Sequence, residues 1–188
     1  MKETMPLNNQ PLTEINVDVF DVFDVEDGSV IVHMFSYEST EPFAIICEMS
    51  SEHADIVKNY IDKQIHILLT AYAVSDPNIY DNEEDFEKRT KEEGVLVASQ
   101  SFLANPGIMV INEVEIPVPE AMMTGIVRKI CLSNSPHADQ CDSLFEVEIE
   151  MLGIVFTAFF ENMDLTHVKP GNIITCIYYL MGELPEKF

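Results

Sequence analysis

The segment from Leu144 to Met151 is the sequence feature that most constrains the fold. Apolar residues and glutamates alternate along it, in the order Phe145, Glu146, Val147, Glu148, Ile149, Glu150 and Met151. Side chains that alternate with a period of two point to opposite faces of a β-strand. The segment therefore predicts a strand with one face in a core and the other in water.

Other strand-length segments recur along the chain between turn residues. Glu26, Asp27 and Gly28 provide turn chemistry between two of them, which predicts a hairpin, although neither face of Ile15–Val25 is wholly apolar. We predict strands at Ile15–Val25, Ser29–Tyr37, Phe43–Met49, Ile65–Val74, Val95–Leu103, Ile108–Ile116, Thr124–Leu132, Leu144–Met151, Ile154–Phe160 and Asn172–Met181.

One segment has helical spacing, and another is rich in charge. Ala54, Val57, Tyr60 and Ile61 are three or four residues apart, which predicts a helix from Ser51 to Gln64. Residues 76–93 carry eight acidic and three basic side chains, with a helix-forming run from Glu83 onward. Such a segment is typical of a solvated helix or a mobile loop, and we interpret it as the connector between two halves of the chain.

These elements predict a β-rich α+β protein with one or two antiparallel barrel-like or sandwich-like units and one clear helix. We expect an N-terminal unit at residues 1–75, an acidic connector at 76–93 and a C-terminal unit at 94–188. Three strands, a link and a returning strand resemble the oligonucleotide/oligosaccharide-binding (OB) barrel, in which a fifth strand closes the barrel. The resemblance is to a fold and implies no function.

Charge is the second constraint. The 188 residues include 33 acidic and 10 basic side chains, a formal net charge of −23, while 47% of residues are apolar. The apolar share is that of a globular protein. No signal peptide is recognisable at residues 1–10, and no apolar run reaches the ~20 residues of a membrane span. We therefore expect a cytoplasmic protein that does not enter a membrane, with its four cysteines reduced.

No motif identifies a reaction. The sequence contains no Gly-x-Ser-x-Gly elbow, Walker loop or Gly-x-Gly-x-x-Gly motif, and its five histidines lie in unrelated contexts. Carboxylate pairs are not diagnostic, because 33 acidic residues make some close pairs inevitable. We assign no catalytic residue and predict no cofactor.

Metal binding has one weak candidate. Cys131, His137 and Cys141 lie within eleven residues and could offer thiolate and imidazole ligands to zinc. Zinc sites commonly use paired cysteines two to four residues apart, and that pairing is missing. We therefore predict no metal site.

The charge also argues against direct nucleic-acid binding. From Val95 onward, the sequence contains twelve acidic residues but only four cations, Arg128, Lys129, Lys169 and Lys187. Binding to a polyanion depends on such cations. Aromatic residues leave an alternative open: an OB-like barrel that binds a small ligand or short oligomer, or acts as a hydrolase, in a cleft lined by Phe156, Phe159, Tyr178 and Tyr179.

Acidity favours a positively charged protein as partner. We predict a non-catalytic acidic interaction module that docks on a basic protein surface, with an inhibitor or nucleic-acid mimic as one form of it. Mimicry requires clustering, because 33 carboxylates on a surface of ~9,000 Å² fall more than twofold below the charge density of duplex DNA. The predicted acidic face comprises Asp81, Glu83, Glu84, Asp85, Glu87, Glu146, Glu148 and Glu150.

Overall fold

The computed structural model describes residues 12–37, 41–94, 97–111, 113–133 and 144–185. Over these residues the chain forms twelve strands and two helices. They are β1 (Thr13–Asp24), β2 (Val30–Ser36), β3 (Phe43–Met49), α1 (Ser51–Lys58), β4 (Gln64–Ala73), β5 (Asn78–Tyr80), α2 (Glu83–Glu93), β6 (Ser101–Ala104), β7 (Ile108–Ile111), β8 (Val114–Pro117), β9 (Glu120–Ser133), β10 (Leu144–Met151), β11 (Ile154–Glu161) and β12 (Ile173–Glu183).

Eight of the strands form a closed barrel, which confirms the predicted β-rich, barrel-like α+β class. Around it the order is β1, β2, β3, β12, β9, β10, β11 and β4, and β4 pairs again with β1. In addition, β4 and β12 pair with each other, from Leu68 opposite Glu183 to Ala71 opposite Leu180. This central pair belongs to two five-stranded rings.

Each ring has the connectivity of an OB barrel, in which a fifth strand closes the sheet. In the first ring, β12 runs parallel to β3, with Met181 opposite Glu48. In the second ring, β9, β10, β11 and β12 follow in sequence, and β4 runs parallel to β11 with Ala71 opposite Ala158. Each half of the chain therefore provides the closing strand for the ring of the other half.

The two halves follow the same plan. In the two parallel pairings, Glu48 pairs with Met181 and Ala71 pairs with Ala158. The interval from Glu48 to Ala158 is 110 residues, and the interval from Ala71 to Met181 is also 110 residues. The link between β3 and β4 is α1, which buries Ala54 and Val57. The link between β11 and β12 is a loop, which buries Leu165 and Val168 in the same core. A loop thus does in the second half what a helix does in the first.

The core is continuous between the halves. One cluster of buried apolar residues runs from Ile15 on β1 to Leu184 after β12 and contains residues of both rings. Along the chain, residues 76–93 still separate the first four strands of the barrel from the other four, and they contain β5 and α2. Within the described ranges, no helix is long and apolar enough to span a membrane.

The first helix is shorter than predicted. It ends at Lys58, and a turn at residues 59–63 replaces the predicted last turns up to Gln64. In this turn Asp62 has a φ of 62°, its N–H donates to Val19 O at 2.9 Å, and Lys63 O accepts from Val19 N at 3.0 Å. Pairing with β1 thus overrides a helical spacing that continues to Ile61.

The middle of the chain also departs from the prediction. The region predicted as one strand, Ile108–Ile116, is a hairpin of β7 and β8, whose Ile116 packs on Ile31 and Ile46 of the barrel. Only Ser101–Ala104 forms the strand expected at Val95–Leu103, and residues 95 and 96 lie outside the described part of the chain. The short β5 was not predicted.

Candidate functional site

The acidic connector carries a well-formed helix. Asn82 caps α2 by accepting a hydrogen bond from Asp85 N at 3.0 Å, and Gly94 ends it with a φ of 72°. Asp85 accepts another bond from Asp81 N at 3.1 Å. Acidic residues in the first turn suit the positive end of the helix dipole. The run of acids is therefore compatible with the start of a helix.

Phe86 anchors α2 to the barrel. It is buried against Tyr80, with ring centroids 4.9 Å apart, and both contact Ile173 on β12. Arg89 lies over the Tyr80 ring, 4.4 Å from its centroid, and forms an ion pair with Asp85 at 3.6 Å. One side of α2 is thus fixed to the sheet, and the opposite side faces solvent.

The solvent side of α2 presents most of the predicted acidic residues. Asp81, Glu83, Glu84 and Glu87 are exposed, and Asp85 is half-buried. Within the described part of the chain, two side chains outside the connector bind this group: the Ser99 hydroxyl donates to Glu83 at 2.7 Å, and the Asn172 amide donates to the main-chain oxygen of Asp81 at 3.1 Å. Residues 76–93 have eight acidic and three basic side chains, a net charge of −5. We call Asp81, Glu83, Glu84, Asp85 and Glu87 the helix face.

The glutamates of β10 form the expected ladder on its outer face, but cations neutralise much of it. Lys129 donates to Glu148 at 3.0 Å, and Arg128 donates to Glu150. The hydrogen bond from Arg128 lowers the pKa of Glu150, and the bond to Glu148 raises the pKa of Lys129. Glu146 lies opposite Cys131. With three glutamates and two cations, the ladder has a net charge of only −1.

The helix face and the ladder lie on the same outer side of the sheet. Ile126 of β9 packs on the cluster of Tyr80, Phe86 and Ile173 that anchors α2. Ile126 is also the register partner of Glu150, and paired residues of neighbouring strands project from the same face. The two acidic groups are therefore adjacent, with the helix face carrying more of the unbalanced charge.

The four residues of the alternative aromatic cleft do not come together on a surface. Phe156, Phe159 and Tyr178 are almost completely buried. Burial also raises the pKa of Tyr178 well above its usual value. The fourth, Tyr179, is half-buried and donates its hydroxyl to Glu48, and burial raises its pKa. The structure therefore corrects this prediction: these rings fill the barrel or bind a neighbouring strand.

The weak zinc candidate is only partly covered by the structure. Cys131 is half-buried on β9, whereas His137 and Cys141 lie outside the described residues. In the described ranges, no group of three or more histidine, cysteine, aspartate or glutamate side chains is arranged to hold a metal ion.

The sequence did not predict an aromatic cluster on the outer face of β1 and β2, in which Phe20 is exposed and His33 and Phe35 are half-buried. Phe20, His33 and Phe35 have centroids 5.3 Å (Phe20 to His33), 5.5 Å (His33 to Phe35) and 6.3 Å (Phe20 to Phe35) apart. Phe20 is the extra residue of a β-bulge, because Val19 pairs with Met34 and Asp21 with His33. A bulge redirects a side chain in this way. We call Phe20, His33 and Phe35 the aromatic cluster.

The bulge left a signal in the sequence. Val17 and Val19 are buried, and Val22 packs against the same core, so the inward positions shift by one residue after Val19. If Phe20 is skipped in the alternation, Val22 falls on the same inner side as Ile15, Val17 and Val19.

The fold defines this protein as a β-barrel built of two five-stranded rings, and its sequence has a formal net charge of −23. The sequence matches no known family model and has no detectable relative among curated proteins.

Proposed function

We propose that the protein is a non-catalytic acidic interaction module that docks on a basic protein surface. The observation that carries the proposal is the excess of carboxylates: with 33 acidic and 10 basic residues, 23 carboxylates remain even if every cation forms one ion pair. A surface of this sign attracts cationic proteins and repels polyanions. Inhibition of a nucleic-acid-handling enzyme by mimicry is one form of this function, and a cytoplasmic location is part of the proposal.

The helix face is the best-supported centre of the docking surface. Four of its five carboxylates project from α2, which Phe86 and Tyr80 fix to the barrel, so the backbone that carries them needs no ordering when a partner binds. The neighbouring ladder contributes less, because Lys129 and Arg128 already occupy Glu148 and Glu150. We therefore place the ladder at the rim of the surface.

The test is capture of proteins from a lysate on the purified, immobilised protein at about 50 mM and about 500 mM salt, concentrations between which the Debye length falls severalfold. Two matched triple variants each remove three charges. Asp81→Asn/Glu84→Gln/Glu87→Gln alters the helix face, and Glu26→Gln/Asp55→Asn/Glu161→Gln alters exposed acids elsewhere.

We expect the wild-type protein to retain basic proteins at low salt and to release them at high salt. The helix-face variant should retain less of them than the control variant does. Retention of no basic protein at low salt would contradict the proposed function. Equal loss in the two variants would contradict the helix face as its centre.

A further inference from the structure

The aromatic cluster lies on the kind of surface that OB barrels use for binding. In the first ring, β2 and β3 are the second and third strands, and the outer face of those strands commonly holds the ligand in this fold. His33 and Phe35 project from β2 on that face, and Phe20 projects beside them from the bulge in β1. Next to the cluster this face is covered, because Ile116 of β8 packs on Ile31 and on Ile46, the register partner of His33.

One ring of the cluster, Phe20, is open to solvent, and the other two are half-buried. The Phe20 side chain is 61% exposed. Its ring meets His33 at 67° and Phe35 at 78°, so neither ring of the cluster stacks in parallel on Phe20. A flat group from a partner can therefore stack on it.

The backbone beneath Phe20 is held on both sides. Val19 is buried, and its N–H and C=O bond to Lys63 O and Asp62 N in the turn after α1, at 3.0 and 2.9 Å. Asp21 closes a local bond by accepting from Val22 N at 2.9 Å. The backbone that carries the exposed ring is thus fixed by hydrogen bonds and needs little ordering on binding.

Carboxylates of β1 lie on the same face as the rings. Asp18 is the register partner of Phe35, and Asp21 is that of His33, so both acids project from the same face as the cluster. Asp62 is bonded to Val19 next to Phe20, and the lysine of that turn, Lys63, directs its ammonium to Asn59 O. Aromatic faces bordered by negative charge favour a cation and oppose the phosphates of a nucleic acid.

We propose that the aromatic cluster, with Asp18 and Asp21, binds an arginine side chain of the basic partner. A guanidinium is planar, stacks on aromatic rings and forms bidentate bonds with carboxylates, whereas a lysine ammonium does not stack in this way. This inference rests on the proposed function and adds to it a second contact, on the first ring, that selects arginine over lysine.

The test uses a short arginine-containing peptide and the same peptide with every arginine replaced by lysine. Their dissociation constants for the full-length protein are compared at low salt. We expect the arginine peptide to bind about threefold tighter or more, as for one exposed cation–π contact. Phe20→Leu should abolish this preference, and Phe20→Tyr, which retains the ring, should preserve it.

A carboxylate pair provides the matched electrostatic control. Asp18→Asn/Asp21→Asn should weaken the arginine peptide more than Glu84→Gln/Glu87→Gln does, although each variant removes two charges. An unchanged urea midpoint for Phe20→Leu would show that the exposed ring is dispensable for folding, so that its effect on binding is local.

The inference and the proposed function fail in different ways. If Phe20→Leu keeps the preference for arginine, the aromatic cluster is not the site, while salt-sensitive capture of basic proteins still supports the proposed function. If a single-stranded oligonucleotide binds in a way that Phe20→Leu abolishes, the assignment to arginine is overturned. If neither peptide binds at low salt, the inference is overturned, and lysate capture decides the proposed function separately.

Discussion

Gly182 on β12 lies so close to Cys47 on β3 that a side chain at position 182 has no room. A Cβ atom there would be 2.7 Å from Cys47 Sγ and 3.2 Å from Met49 Cγ. Gly182 is also the register partner of Met49, in the parallel pairing that closes the first ring. Closure of this ring therefore requires glycine at position 182.

We predict that Gly182→Ala lowers the free energy of unfolding by about 1–3 kcal/mol, the usual cost of overpacking. Cys47→Ala in the same chain removes the sulfur atom and should restore part of the loss. Urea denaturation of the two single variants and the double variant measures the coupling. Strictly additive losses would contradict a direct contact between the two residues.

Gly125→Ala should be more damaging than Gly182→Ala. A Cβ atom at position 125 would lie 2.6 Å from both Glu150 O and Ile149 Cγ2. A backbone carbonyl within a sheet moves less readily than a cysteine side chain, so the strain between β9 and β10 is harder to relieve. The same urea experiment ranks the two variants, and a Gly125→Ala protein as stable as the wild type would refute this packing.

The cysteines should differ in reactivity. Cys47 is completely buried, and this burial raises the pKa of its thiol well above the usual value, whereas Cys131 is only half-buried. Because the thiolate is the reactive form, Cys47 should resist alkylation in the native state while Cys131 is modified. Mass spectrometry of the digested protein measures both sites. Equal rates without denaturant would show that Cys47 is accessible.

The ion pair of Arg128 and Glu150 predicts a pH-dependent contribution to stability. The bond from Arg128 lowers the pKa of Glu150 in the folded protein, so the contribution is full above the unfolded pKa of about 4.3. It is lost as the pH falls through the lower folded value. Glu150→Gln should therefore be less stable than the wild type at pH 7, and this difference should shrink in acid.

Urea denaturation of both proteins at neutral pH and at about pH 3, below the ordinary glutamate pKa, provides the measurement. Comparing the two proteins at each pH removes the effect of the many other carboxylates. A difference that stays constant across this range would mean that the pairing does not perturb Glu150.

Because β4 and β12 belong to both rings, we predict that neither half of the chain folds without the other. A fragment of residues 1–75 lacks β12, and a fragment of residues 76–188 lacks β4, so neither can close its ring. Each should be unfolded alone by circular dichroism, and mixing them should restore β structure. Cooperative unfolding of either isolated fragment would show that its ring closes without the strand of the other half.

Local pattern was sufficient for the strands of the barrel. The alternation of apolar and acidic residues from Phe145 to Met151 predicted β10 correctly, because one face of that strand is in contact with water and the other lies in the core. The pattern failed where a distant strand decides the local structure. Tyr60 and Ile61 continue the spacing of a helix, but hydrogen bonds to Val19 hold the turn that follows Lys58.

The strands that close the two rings could not be predicted from the local sequence either, because their role depends on long-range pairing. The local pattern of Gln64–Ala73 predicts a strand, but it does not show whether that strand belongs to one ring or to both rings. Membership of both rings follows from the pairing of Ala71 with Ala158 and with Leu180. For the candidate site, the sequence predicted the acidic connector at residues 76–93, with a helix-forming run from Glu83 onward. It missed the aromatic cluster, because a single bulged residue, Phe20, reverses the faces of β1.

The dissociation constant of the most strongly captured basic protein, measured against salt concentration, tests the central claim most directly. We expect the affinity of the wild-type protein to fall steeply as salt rises, because opposite charges are screened. The dependence should be shallower for Asp81→Asn/Glu84→Gln/Glu87→Gln than for the control triple variant. An affinity that does not change with salt, or identical curves for the two variants, would contradict docking through the helix face.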